Sequence, residues 1–282
     1  MNVRNVMIMK YKFISDSHVH SENSFDGKDS VIMMCERAAD LGLYSITVTD
    51  HCECNEYYEN AENINYRECI EHSVRDTAKA RALYVDRVNV YTGIELGQSY
   101  QNREAAKEVL SLAEYDFVIG SLHNLRGERD FYFLKYTKDN TPDLMERYIE
   151  ELLELIEEDN FDTLAHLTYP MRYIAAEPEI KDDIGIFQPA FDNVLKKLVE
   201  NDKALEVNTS GLRQVIGKTL PDEEIIMRFR ELGGKYVTIG SDAHRWGDVG
   251  SGIEDGLQLL LKCGFTHFTV YEKRKPKLLP IM

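Results

Sequence analysis

Short apolar runs, each ending in a polar cluster, recur along the chain. Lys12-Phe13-Ile14-Ser15 leads into Asp16-Ser17-His18-Val19-His20. The run at 44–48 leads into Thr49-Asp50-His51, and the run at 88–91 into Gly93-Ile94-Glu95. Residues 117–119 precede Gly120-Ser121-Leu122-His123, and 163–165 end at His166. Residues 204–207 precede Asn208-Thr209-Ser210, and 236–239 precede Gly240-Ser241-Asp242-Ala243-His244. An eighth run, 267–271, has no such cluster. Helical stripes lie between them. Val31, Met34, Cys35, Ala38 and Leu41 form one, and Met145, Tyr148, Leu152, Leu155 and Ile156 a second, with Thr141-Pro142 as its predicted N-cap and first residue. A third stripe starts at Phe191 and runs through Val194, Leu195, Leu198 and Val199. A fourth (Ile225, Ile226, Phe229, Leu232) stops at Gly233-Gly234.

Strands alternating with helices predict βαβ units and a parallel sheet. Polar clusters at seven strand ends predict a closed barrel, because a barrel converges its C-terminal strand ends on one mouth. The length of 282 residues suits one α/β barrel domain spanning 1–282, with 1–9 as a short N-terminal extension and Met7 or Met9 as alternative starts.

Composition narrows the function classes. With 43% apolar and 29% charged residues the chain is globular, not disordered. Lys plus Arg is 33 and Asp plus Glu is 49, so the formal charge is −16, which repels nucleic-acid backbones and anionic membranes. No apolar run approaches the roughly 20 residues of a membrane span. Val6-Met7-Ile8-Met9 is too short for a secretory signal. Five Cys without a C-x-x-C repeat make no disulfide framework and predict a cytoplasmic location. Oligomeric state is not legible.

Six of the eight His lie in the polar clusters: His18, His20, His51, His123, His166 and His244. In a strand, His18 and His20 share one face, and Asp242 and His244 repeat that spacing. Imidazole with carboxylate suits Zn, Mn or Fe. Glu95 ends a Gly-flanked strand and can bridge two ions with its two oxygens. The Cys52-x-Cys54 pair is weak evidence of a thiolate site.

In order and spacing, H-x-H, T-D-H, G-x-E, G-S-x-H, A-H and G-S-D-A-H resemble the polymerase and histidinol phosphatase (PHP) superfamily over nearly the whole chain. Asp26 six residues after His20, the segment Glu206–Arg213 and the ending Tyr271–Pro276 are similar to its stand-alone histidinol-phosphatase branch. The resemblance implies a distorted TIM-like (β/α)7 barrel around two or three divalent ions, Zn, Mn or Fe. It implies His18, His20, Glu95 and Asp242 at a first metal, Asp26, His51 and His244 at a second, and Glu95, His123 and His166 at a third. A departure is Thr168, where relatives often carry Asp. The implied activity is hydrolysis of L-histidinol phosphate to L-histidinol and phosphate by a metal-bridging hydroxide, with Asp242, His244, Glu95 and Asp50 as the catalytic set.

Asp50, preceding His51, is expected to point the other way and orient a ligand. Arg172 and Arg213 follow strand ends and are either phosphate-binding groups or surface residues. Glu53 is either a partner for the substrate's cationic end or a solvated carboxylate. Asn208 is either a hydrogen-bond donor to the substrate or a strand cap. Other small phosphate esters and nucleotides are the alternative substrates. An amidohydrolase-type barrel is disfavoured because no Lys occupies any cluster.

Overall fold

The first polar cluster is itself a strand. β1 spans Ser15–Val19, three residues later than the apolar run predicts, and is wholly buried. Its polar residues stay extended because their partners wait across the sheet. Asp16 accepts hydrogen bonds from the Ser241 and Gly250 amides, each at 2.8 Å, and from the Ser241 hydroxyl. Such satisfied polar groups can be buried at little cost.

The computed structural model describes residues 11–55 and 64–282. The expected extension at 1–9, with Met7 and Met9, lies outside the described residues. Beyond β1 run β2 (Ser45–Val48), β3 (His51–Glu53), β4 (Asn89–Gly97), β5 (Phe117–Ser121), β6 (Thr163–Leu164), β7 (Ala204–Asn208) and β8 (Val237–Gly240). Seven of them lie side by side, all parallel, in the order β1-β2-β4-β5-β6-β7-β8. The short β3 extends the β2 path and pairs with the second half of β4, setting His51 opposite Glu95. The ring nearly closes where residues after β8 return to β1. The Asp242 amide donates to the His18 carbonyl and the His20 amide to the Ala243 carbonyl, both at 2.8 Å. Gly240 permits this approach: a Cβ there would sit 2.3 Å from that of His18. The result is a distorted seven-stranded barrel.

The helices pack around it: α1 (Val31–Leu41), α2 (Tyr66–Leu83), α3 (Arg103–Leu110), α4 (Thr141–Glu157), α5 (Met171–Ile174), α6 (Asp192–Glu200), α7 (Glu223–Glu231) and α8 (Ile253–Lys262). The four predicted stripes are α1, α4, α6 and α7. Ser30 caps α1, and Gly42 ends it in the left-handed region at φ 71°. The α4 cap is Asn140, one residue before the predicted Thr141, with Pro142 in the first turn. Helix α2 has no sequence stripe because its buried face, Tyr66, Ile70, Ser73, Thr77 and Ala80, is half polar.

The eighth run forms β9 (His267–Glu272), which pairs antiparallel with β10 (Lys275–Pro280) outside the barrel sheet. The basic run Lys273-Arg274-Lys275 lies at the turn of this hairpin, with Lys273 and Lys275 exposed. The Lys273 amide donates to Asp116, and the Arg274 guanidinium to Asp162. Tyr271 stacks on Phe117 at the start of β5 (5.2 Å between ring centroids), within a small apolar cluster of Phe117, Ile119, Ala165, Ala204 and Tyr271. The base of the barrel is thus filled, and the opposite mouth is left for chemistry. Among the described residues no helix is long and apolar enough to cross a membrane.

Candidate metal centre

Glu95 stands at the centre of the mouth, fully buried on β4. Its Oε2 lies 3.2 Å from His18 Nε2, 3.4 Å from His20 Nε2 and 3.0 Å from His51 Nδ1. Its Oε1 lies 3.1 Å from His123 Nε2 and 3.0 Å from His166 Nε2. Asp242 Oδ1 is 3.4 Å from His20 Nε2 and 3.6 Å from His244 Nδ1. Asp26 Oδ2 is 3.1 Å from His244 Nε2, and Oδ1 is 3.8 Å from His51 Nε2. Nine side chains from strand ends and their following loops therefore meet in one volume. Asp242 and His244 do so beyond the end of β8 rather than within it, with Asp242 in the left-handed region at φ 54°, backbone strain of the kind tolerated at functional sites.

The donor set fits divalent ions. Close trios of donor atoms are His20/His51/His244, His18/Glu95/His166, His18/His20/Asp242 and His51/Glu95/His123. They share members across the three groupings that the family resemblance implies, so the cluster is continuous rather than three separate cages. Imidazoles of His20 and His51 stack at 4.1 Å and those of His20 and His244 at 4.2 Å. His51 Nδ1 lies 3.0 Å from Glu95 yet is out of line for a hydrogen bond, as expected of two atoms that face a shared ion.

Acceptors behind the rings decide which nitrogen faces inward. Glu206 Oε1 sits 2.6 Å from His18 Nδ1, and its Oε2 accepts from the His166 amide at 2.7 Å. Glu53 Oε1 takes His123 Nδ1 at 3.0 Å. The Asp242 carbonyl takes His244 Nδ1 at 3.1 Å, and Ser24 Oγ lies 3.4 Å from His20 Nδ1. In all four the Nε2 lone pair is left for the cluster. Among the described residues His166 Nδ1 has no hydrogen-bond partner; Thr168, two residues on and buried, is the position where the sequence departs from the family pattern.

Four residues that the sequence singles out do not line the mouth, Asp50 facing away as expected and Arg213 lying at the surface. Asp50 does not touch the cluster. It faces away and accepts from the Ser21 amide (2.6 Å) and the Ser21, Ser24 and Ser73 hydroxyls, so it acts on His20 only through Ser24. Glu53 is neither solvated nor at the cavity wall, because His123 claims it. Arg213 is directed away from the mouth, its Nη2 donating to the Ser241 carbonyl at 2.7 Å. Asn208 donates to Glu206 at 3.2 Å and Asp242 at 3.4 Å rather than lining the cavity. Glu206 was not singled out by its sequence. The available signal was its place two residues before Asn208 on a strand, hence on the same face. Arg172 does line the mouth. Its guanidinium lies over the Tyr169 ring at 4.4 Å and 3.6 Å from Asp242. Cys52 and Cys54 are buried with sulfurs 3.9 Å apart, and neither joins a metal-type trio.

Electrostatics are set by the crowded carboxylates. Burial pulls the His51 imidazole down, but Glu95 and Asp26 outweigh it and raise its pKa to about 9. Burial likewise opposes His18 and His123, and Glu206 and Glu53 respectively lead the carboxylates that hold them above their ordinary value. Burial lowers His20 and His166. Metal ligation requires neutral imidazole. With its pKa raised to about 9, the His51 imidazole carries a proton at neutral pH that a metal must displace. Titrating Zn into metal-free protein at pH 7.5 in weak buffer should release protons, with affinity weakening as pH falls through about 9. Loading without proton release contradicts this.

The PHP domain family matches residues 16–210. The chain belongs to the PHP family. It is 32% identical over 260 residues to a probable histidinol-phosphatase of Thermotoga maritima, covering 92% of this chain and 96% of that one. It is 29% identical over 270 residues to a probable histidinol-phosphatase of Clostridium acetobutylicum (94% and 99%). In fold it is similar to the crystal structure of the Lactococcus lactis histidinol phosphate phosphatase, solved with zinc, L-histidinol and phosphate. The TM-score is 0.75 at 23% identity, covering 94% of this chain and 98% of that one. A putative histidinol phosphatase of Listeria monocytogenes has TM-score 0.73 at 19% identity (86% and 99%). The PHP match ends at Ser210, so Asp242 and His244, which complete the cluster, lie beyond it.

As a PHP protein whose rings are aimed from behind, the chain should depend on Glu206. Glu206→Gln should lower kcat/KM about 10- to 100-fold and loosen metal binding, read by steady-state kinetics and metal titration. Unchanged values in both would remove Glu206 from the centre.

Proposed function

We propose that the protein is a metal-dependent phosphomonoesterase that hydrolyses L-histidinol phosphate to L-histidinol and phosphate. The observation that carries the phosphate reading is Arg172. Its Nε and Nη2 are buried at a cavity of about 390 Å³ and, among the described residues, have no hydrogen-bond partner, Asp242 standing 3.6 Å from Nη2. An unsatisfied buried guanidinium beside a cluster of metal-type donors calls for an anion. The names of the relatives support the choice of ester.

His18, His20, Asp26, His51, Glu95, His123, His166, Asp242 and His244 would hold two or three ions, and imidazole with carboxylate admits Zn, Mn or Fe. Bound ions supply a water of lowered pKa and neutralise phosphate oxygens. Arg172 binds the remaining phosphate oxygens bidentately, held flat by Tyr169. Asp242, shared by His20 and His244, orients the attacking water. Glu206, Glu53 and Asp50 are positioning residues. Arg172→Ala should raise KM for the ester and lower kcat/KM about 100-fold, and Arg172→Lys should restore little of it. Five free cysteines, four of them buried, support a reducing cytoplasm.

The test is phosphate release from L-histidinol phosphate, p-nitrophenyl phosphate, a sugar phosphate and a nucleotide under one metal loading. L-histidinol phosphate should lead by at least about 10²-fold in kcat/KM. A higher value for the sugar phosphate or nucleotide keeps the phosphatase and overturns the substrate.

A further inference from the structure

The cavity has a second end that the chemistry above does not use. Tyr169 links the two ends. Its ring centroid lies 5.0 Å from that of His123 and 4.9 Å from that of His166, and its hydroxyl donates to Asp130 Oδ1 at 3.2 Å. Asp130 Oδ1 also accepts from the Tyr132 amide at 2.7 Å, whereas Oδ2 has, among the described residues, only the Tyr169 hydroxyl at 3.5 Å. Four carboxylates line this cavity among the described residues, and Asp130 is the one outside the nine-residue cluster. Among those residues no Lys or Arg forms an ion pair with it. Burial holds its carboxyl above the ordinary value, although His123 opposes this.

Around Asp130 the wall is aromatic. Tyr132 lies edge-on to Phe133 at 5.0 Å and to Tyr173 at 5.9 Å, and all three rings line the cavity. Tyr132 and Phe133 are more than half exposed. The Arg129 guanidinium already lies over the Phe133 ring at 4.3 Å, which leaves the Tyr132 ring as the more open surface for a ligand. A half-satisfied carboxylate among ring faces attracts an organic cation through charge-assisted hydrogen bonding and cation–π contact. Glu53, the carboxylate that the sequence offers for this purpose, does not line the cavity, and its Oε1 is held by His123.

We propose that Asp130, with the rings of Tyr132 and Tyr173, determines specificity by seating a cationic group on the alcohol half of the ester, an ammonium or an imidazolium. This rests on the phosphomonoesterase reading, which puts the phosphate at Arg172 and the cluster. The molecule recognised is a phosphate monoester whose two ends carry opposite charge, held between Arg172 and Asp130.

Asp130 also caps the short turn Phe131–Phe133. Asparagine caps such turns equally well, so Asp130→Asn removes the charge and keeps the turn. The experiment measures kcat/KM for L-histidinol phosphate, O-phosphoethanolamine and p-nitrophenyl phosphate in wild type and D130N under the same metal loading. The third ester has no cation. The preference for each cationic ester over p-nitrophenyl phosphate should fall about 30-fold in D130N, mainly through KM. An unchanged preference in an enzyme active on L-histidinol phosphate overturns the role of Asp130 alone. Wild type that cleaves p-nitrophenyl phosphate but neither cationic ester overturns the substrate reading together with it.

Discussion

Glu95→Gln should lower kcat/KM for L-histidinol phosphate at least about 10³-fold, with the chain still folded. Both Glu95 oxygens are in use: one faces His18, His20 and His51, the other His123 and His166. Glutamine keeps the volume but turns one oxygen into an N–H donor aimed at imidazole nitrogens. It also removes the negative charge that, with Asp26, keeps His51 high, and that helps to hold His18 and His123 high. The whole cluster is therefore affected rather than one ion. Circular dichroism should match wild type and metal content should fall. Activity within tenfold of wild type would remove Glu95 from the centre.

Chelation should bring phosphate release down to the uncatalysed background and lower Tm by about 10 °C. An ion at a thousand times its Kd contributes about 4 kcal/mol of stability, and each kcal/mol shifts Tm by about 2–4 °C in large domains. Without ions, stacked imidazoles and three carboxylates are packed together with only protons to balance them. Adding Mn, Zn or Fe should restore both activity and Tm. Magnesium, which prefers oxygen ligands, should restore neither. Full activity after exhaustive chelation would contradict the metal-centred mechanism.

The cluster was legible because its members close short strand runs, and a parallel barrel brings strand ends together. His18, His51, His123 and Asp242 needed no knowledge of packing. What was not legible is direction in the loops and partnership across the barrel. Glu53 and Asp130 are both carboxylates near the mouth, and only the fold shows that His123 takes one of them. Arg172 and Arg213 both follow strand ends, yet one is held over Tyr169 and the other is drawn off by the Ser241 carbonyl. Helix α2 was missed because Ser73 and Thr77 stand where apolar residues would mark a face, and Ser73 is there for Asp50. The anchoring of the C-terminal hairpin turn was not legible because its partners, Asp116 and Asp162, are more than a hundred residues away in sequence.

The most direct measurement is the metal content of the protein as purified from its native host, by inductively coupled plasma mass spectrometry. It should be compared with H18A and E95Q prepared identically. Two or three equivalents of Zn, Mn or Fe per wild-type chain, reduced in both variants, is the predicted result. A wild-type enzyme that cleaves the ester with no stoichiometric metal would contradict the account.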